Sequence, residues 1–161
     1  MAEDTIIEQP KVEKKKAEKK PYVMAVGRRR EAVARVRLYE DIKTGIVWGD
    51  AVVKKGEMYV NNLPIEKYFS FSSYQPIFKE PFRTTNTQNR FAVTIKVVGG
   101  GKSGQLGAVV HGLARALEKA DPSFRPILKK KGFLTRDART RQRRNVGMGG
   151  KSRRKKQSPK R

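Results

Sequence analysis

No cysteine occurs in the 161 residues, which excludes disulfides, thiolate metal sites and cysteine nucleophiles together. Histidine is nearly as scarce: His111 stands alone, with no Ser, Cys or acid at catalytic spacing and no second imidazole to share a metal. No enzymatic activity, metal or cofactor is therefore expected. No run approaches the roughly 18 apolar residues that a membrane-spanning helix needs. No basic amphipathic helix with a wide apolar face is evident, and Met1 to Pro10 lack the apolar core of a secretory leader. A cytoplasmic chain with no membrane partner is the expectation. The last shortage is of acids. Fifteen Asp and Glu face 38 Lys and Arg, a formal charge of +23. Self-repulsion at that density calls for a polyanionic partner. Nucleic acid fits best, because each phosphate neutralised by Lys or Arg releases a condensed counterion.

The charge is unevenly spread. Residues 129–161 hold fifteen basic residues and a single acid, Asp137, a net of 15 − 1 = +14, more than half the total. We divide the chain into a disordered charged extension (1–21), an α+β domain (22–128) and an extended basic tail (129–161). The extension has too few apolar residues to dock, and its nearly balanced low-complexity run Lys11–Lys20 gives it no assignable role. The tail likewise buries too little surface to offset its own ordering entropy, and is expected to order only against a partner.

Apolar periodicity is concentrated in the middle region. Val33, Arg35 and Arg37 alternate with Ala34, Val36 and Leu38, as in a half-buried first strand. Ile46–Trp48 and Met58–Val60 read as shorter strands, the second ending in an Asn61-Asn62 turn. Short helices are expected from Pro64 to Tyr68 and from Ser73 to Lys79. Phe91–Val98 is the clearest strand, with Thr94 and Lys96 on one face. After the glycine run the period becomes helical: Leu106, Val110, Leu113 and Leu117 form an apolar stripe from about Ser103 to Lys119. Asp121 caps a further helix that begins at Pro122 and ends near Lys131-Gly132. A few strands packed on one side by helices make a small α+β sandwich.

The run Gly99-Gly100-Gly101-Lys102-Ser103-Gly104 matches a dinucleotide-binding turn. The second strand and its acid some 20 residues on are missing, however, and the phosphate-loop pattern would place its first glycine on Lys96. A different anion remains open: the sugar-phosphate backbone could lie over Gly99, Gly100, Gly101 and Gly104 beside Lys102 and a helix N-terminus. Gly104, Gly107, Ala108, His111 and Arg115 share one helix face along which such a strand could run. The competing reading is that the glycines serve tight helix–sheet packing; the two are compatible. Gly27-Arg28-Arg29-Arg30 precedes the expected first strand, from which Arg35 and Arg37 project, and guanidinium forks match phosphate oxygens in pairs. In the tail, Leu134-Thr135-Arg136-Asp137-Ala138-Arg139 leads into Thr140-Arg141-Gln142-Arg143-Arg144. So few aromatics favour shape and backbone recognition over base stacking.

Four blocks in order resemble a known family. Gly27-Arg28-Arg29-Arg30-Glu31-Ala32-Val33-Ala34-Arg35-Val36 is similar to the opening of bacterial small-subunit ribosomal proteins of the S-nine family. Val98 to Ala108, running on through His111-Gly112-Leu113-Ala114-Arg115-Ala116-Leu117, resembles their glycine turn and main helix. Leu128 to Arg139 and the ending Gln157-Ser158-Pro159-Lys160-Arg161 complete the match, which covers residues 22 to 161. The resemblance implies a two-layer sandwich of the ribosomal S-five second-domain type with a long basic tail, a structural role on 16S rRNA in the subunit head, and neighbouring head proteins as partners rather than a second copy. Expected rRNA contacts are Arg28, Arg29, Arg30 and Arg35; Lys102, His111 and Arg115; and, in the tail, Arg136, Arg139, Arg141, Arg143, Arg144, Lys151, Arg153, Arg154, Lys155 and Lys156. Lys160 and Arg161 would reach the anticodon stem-loop of P-site tRNA. Two departures stand out: Val110 where the family usually carries Arg, and Ser158-Pro159 where it carries Phe-Ser. A free DNA- or RNA-condensing protein would share the charge but not the ordered motifs.

Overall fold

The computed structural model describes residues 21–40, 42, 45–49 and 51–143. Of the expected extension 1–21 all but Pro21, and of the expected tail everything beyond residue 143, lie outside these residues. Mixed α+β architecture follows from the order of elements: β1 (Val23–Arg29), β2 (Ala32–Tyr39), β3 (Ile46–Trp48), β4 (Ala51–Val53), β5 (Met58–Val60), β6 (Leu63–Pro64), α1 (Ile65–Tyr68), α2 (Gln75–Thr84), β7 (Ala92–Val98), α3 (Lys102–Ala120) and α4 (Arg125–Lys130). One five-stranded sheet has the order β1-β2-β7-β5-β6, and β3 and β4 form a separate hairpin. Within the sheet only β5 and β7 run parallel.

β2 alternates as its sequence predicts. Ala32, Ala34, Val36 and Leu38 are buried, and Arg35 is exposed between them. It is not the first strand, however. Gly27, Arg28 and Arg29 do not lead into a strand; they end one, β1, which pairs with β2 from Val23↔Leu38 to Arg29↔Ala32. The inward residues of β1 are Ala25 and Gly27. With glycine at an inward position, the period-two apolar signal is truncated, and Gly27 reads as a turn.

α3 lies across β1 and β2 and supplies much of the core through Leu106, Val109, Leu113 and Leu117. Contact is close enough that a Cβ on Gly27 would fall 1.9 Å from the Ala108 carbonyl oxygen. α2 and α4 flank α3, adding Phe78, Phe82 and Leu128 to the core. α2 runs to Thr84 rather than Lys79 and carries Pro81 inside it. The helix tolerates the missing N–H because Phe78, Pro81 and Phe82 are all buried, so packing outweighs the lost hydrogen bond. Asp121 does cap the next turn, accepting from the Ser123 N–H at 3.0 Å.

Two further expectations are corrected. The sheet is not covered on the helix side alone. Arg37 stacks between the rings of Tyr22 at 5.0 Å and Trp48 of β3 at 5.3 Å, closing one end of the outward face. Thr94, opposite Arg37 in the register, is consequently buried while Lys96 on the same face is exposed. Packing also continues past residue 128: Phe133 and Leu134 lie against the core cluster.

Candidate nucleic-acid interface

Beyond the β1–β2 pairing, the free edge of β1 meets side chains of α3 at regular intervals. The Arg28 N–H donates to His111 Nδ1 at 3.3 Å. The Arg115 guanidinium donates to the Val26 carbonyl, and Lys119 Nζ to the Met24 carbonyl at 3.1 Å. Two strand residues advance about 6.6 Å and four helical residues about 6 Å, so the two series stay in step. His111 and Arg115 therefore do not flank an open track for a sugar-phosphate strand. They cap an edge that would otherwise offer unpaired backbone groups. Ala108, expected on that polar face, is fully buried against β1.

His111 is half-buried, and burial, then the Arg115 guanidinium and more weakly that of Arg136, push its pKa below 6.5 against the opposing backbone hydrogen bonds at Arg28 and Leu134. Only a neutral ring offers the lone pair that the Arg28 N–H uses. The imidazole is a structural acceptor at neutral pH.

The glycine run divides in two. Gly99 has φ 76, and a Cβ there would lie 2.5 Å from the Glu31 carbonyl oxygen, so the start of the run is held by the β1–β2 turn; Gly100 likewise abuts Ala32. Gly101, the N-cap residue of α3, faces open space, and Gly104 makes only ordinary contacts. Lys102 is engaged within the domain: its ammonium sits 3.4 Å from the centre of the Tyr68 ring and donates to the Tyr68 carbonyl at 3.2 Å. Tyr68 OH and Gln105, 2.8 Å apart, continue this network to the Gly99 carbonyl.

Next to the glycine turn a groove of about 290 Å³ opens between β1, α2, α3 and the root of the tail; Arg28, Arg29, Ser103, Gly107, His111, Thr135 and Asp137 are among its lining residues. Arg29 lies over Gly107, where a Cβ would meet its guanidinium. Arg29 also faces Asp137 at 3.7 Å, and Arg139 grips the same carboxylate at 2.9 and 3.0 Å. The Arg139 hydrogen bonds hold the Asp137 carboxyl well below the usual carboxylate range, so it is ionised at any physiological pH. The one acid of the tail thus latches the tail root to the domain. Its isolation among fifteen cations was the signal available in the sequence. Val110, on the predicted stripe, is nearly buried and lines the groove.

Arg28, which lines the groove, is exposed, as are Arg30, Arg136, Arg139, Arg141 and Arg143. Arg30 sits in the β1–β2 turn with φ 51. Arg35 is exposed on the other face of the sheet. Arg144, Lys151, Arg153, Arg154, Lys155, Lys156, Lys160 and Arg161 lie outside the described residues. Sequence reasoning missed Gly27 and Lys119, whose roles depend on the unrecognised β1.

A family model described as ribosomal protein S9/S16 matches residues 27–161, most of the chain. The chain belongs to that ribosomal protein family. It is accordingly a structural protein of the small ribosomal subunit that binds rRNA and takes part in translation, a class that is not enzymatic. The matched S9 segment begins at Gly27, where β1 packs tightly on α3.

Proposed function

We propose that this S9-family chain holds 16S rRNA in the head of the small subunit and that the end of its tail contacts the anticodon stem-loop of P-site tRNA. The observation that carries the reading is the groove beside the open start of α3, lined by Arg28, Arg29 and the Asp137 that Arg139 holds. Guanidiniums there match phosphate in pairs, Gly101 and Gly104 leave room for the backbone, and Asp137 ties the root of the tail to Arg29 beside the same spot. Arg35, Lys102, His111 and Arg115 border this surface or its reverse, the last three with structural bonds of their own. The tail cations Arg141, Arg143, Arg144, Lys151, Arg153, Arg154, Lys155 and Lys156 extend the phosphate contacts, and Lys160 with Arg161 makes the tRNA contact through its backbone, indifferent to anticodon sequence. The layered domain is of the S-five second-domain type, works in the cytoplasm on the ribosome, and neighbours head proteins as a single copy.

The first test is a sucrose gradient of cell lysate at low magnesium. The expected outcome is stoichiometric recovery with the small subunit that survives a salt wash. Recovery at the top of the gradient, or smeared with DNA, would defeat the reading in favour of a condensing protein. Deleting Lys160 and Arg161 is expected to leave subunit assembly intact and speed release of P-site tRNA; unchanged tRNA off-rates would refute the tail assignment.

A further inference from the structure

On the outward face of the sheet, Arg35 of β2 stands directly opposite Lys96 of β7, and both side chains are exposed. Like charges placed directly opposite on neighbouring strands destabilise a sheet. No ion pair among the described residues relieves either of them. At the other end of this face the cation is accommodated within the fold: Arg37 lies between two aromatic rings, and Thr94 opposite it is buried. The Arg35–Lys96 end is left open. Val26, paired with Arg35, and Val33 form a half-covered floor beside the two charges, and Val98 is 62% exposed at the margin.

We infer that this open end of the sheet is a second RNA contact, where Arg35 and Lys96 together clamp the sugar-phosphate backbone on the face opposite α3. This rests on the rRNA-binding reading and extends it to a residue, Lys96, and a surface that the groove does not include. A phosphate between the two cations converts a repulsion into two charge-assisted bonds, with the guanidinium supplying a fork and the ammonium a point charge. The valines accept the apolar edge of a ribose. A partner of the opposite charge is required, and a flat two-cation face spaced by strand pairing suits a regularly charged backbone. Held there and at the groove, the domain is gripped from both sides of its sheet.

The test uses the full chain and purified small-subunit rRNA, with affinity measured against salt for the wild type, Arg35→Gln, Lys96→Gln and the double variant. Each single change is expected to make the slope of log affinity against log salt shallower, and the double change to make it shallower by about 0.7–0.9, the value for one phosphate. Thermal unfolding of free Lys96→Gln is expected at or above the wild-type temperature, since removing one charge ends the repulsion; this also shows that the variant folds. Acetylation of Lys96 in the full chain is expected to slow at least tenfold when rRNA alone is added. A double variant with the wild-type slope, together with unprotected Lys96, would overturn the inference. The same slope with reduced entry into subunits would also overturn it and assign the face to a protein neighbour. A wild-type chain with no salt-dependent rRNA affinity would bring down the rRNA reading itself, an outcome distinct from a wild-type slope retained by the variants.

Discussion

Arg30 occupies a left-handed backbone position, φ 51, in the two-residue link between β1 and β2, where glycine would sit without strain. Keeping a non-glycine residue there costs about 1 kcal/mol, and nothing inside the fold is gained from its exposed guanidinium. Arg30→Gly is therefore expected to raise stability to denaturant by about 1 kcal/mol while weakening rRNA affinity several-fold, checked by urea unfolding and by filter binding. A loss of stability, or unchanged affinity, would remove Arg30 from the interface. Thr94 makes a complementary case. It is fully buried and its Oγ1 has no hydrogen-bond partner. Thr94→Val keeps the shape and removes the orphaned hydroxyl, so urea unfolding should show a gain of about 1 kcal/mol with no change in RNA binding. The sequence reads the arginine triplet as phosphate-contacting, from its residue type and spacing alone. Its turn conformation was not, because left-handed φ is ordinarily signalled by Gly or Asn, as at Asn61 and Asn62. Thr94 read as an outward polar residue because the cover on that side comes from the β3–β4 hairpin and Arg37, remote from it in the chain.

α3 and β1 show where element-level reading succeeds and where it stops. The stripe Leu106, Val110, Leu113 and Leu117 was visible because a 3.6-residue period needs no knowledge of the partner surface. The edge carrying His111 and Arg115 read as a track for a sugar-phosphate strand, and its bonds to β1, with Lys119 joining them, emerge only once that strand is placed beside it. Its consequence is a pH dependence. The folded-state pKa of His111 lies below 6.5, so as pH falls the unfolded chain takes up the proton first. Stability contributed by the neutral ring is full above 6.5, declines as pH drops through that value, and levels off below the folded-state value. Replacing His111 by Asn is expected to flatten this decline between pH 7 and 5, read by urea unfolding at each pH. A decline of the same size in His111→Asn would place its origin elsewhere. The packing under the cap is tighter still: Gly27→Ala is expected to destabilise by about 1–3 kcal/mol, because its Cβ has no space against the Ala108 carbonyl.

Across the whole molecule the net charge of +23 dominates, and it acts in opposite directions on the free chain and on the complex. Within the described residues the ion pairs are exposed or half-exposed, as with Glu66–Lys79 and Glu40–Arg90, and such pairs contribute little. Repulsion among the surplus cations is the larger long-range effect in the free chain, and salt screens it over about 10 Å at 0.1 M. Raising potassium chloride is therefore expected to raise the unfolding temperature of the isolated chain. On rRNA the same salt competes for phosphate, and about ten tail contacts alone would lower affinity by roughly 10³–10⁵ between 50 and 200 mM. Thermal scans and filter binding over one salt series test both at once, and the two curves should run in opposite directions. An unfolding temperature that falls with salt would mean that internal pairs such as Asp137 with Arg29 and Arg139 outweigh the surplus. Because residues 144–161 carry eight cations and no acid, a chain ending at Arg143 should show a smaller salt effect on unfolding and a shallower one on binding. If truncation changes the binding slope by fewer than two phosphates, the domain and the root of the tail, rather than residues 144–161, carry the electrostatic hold on RNA.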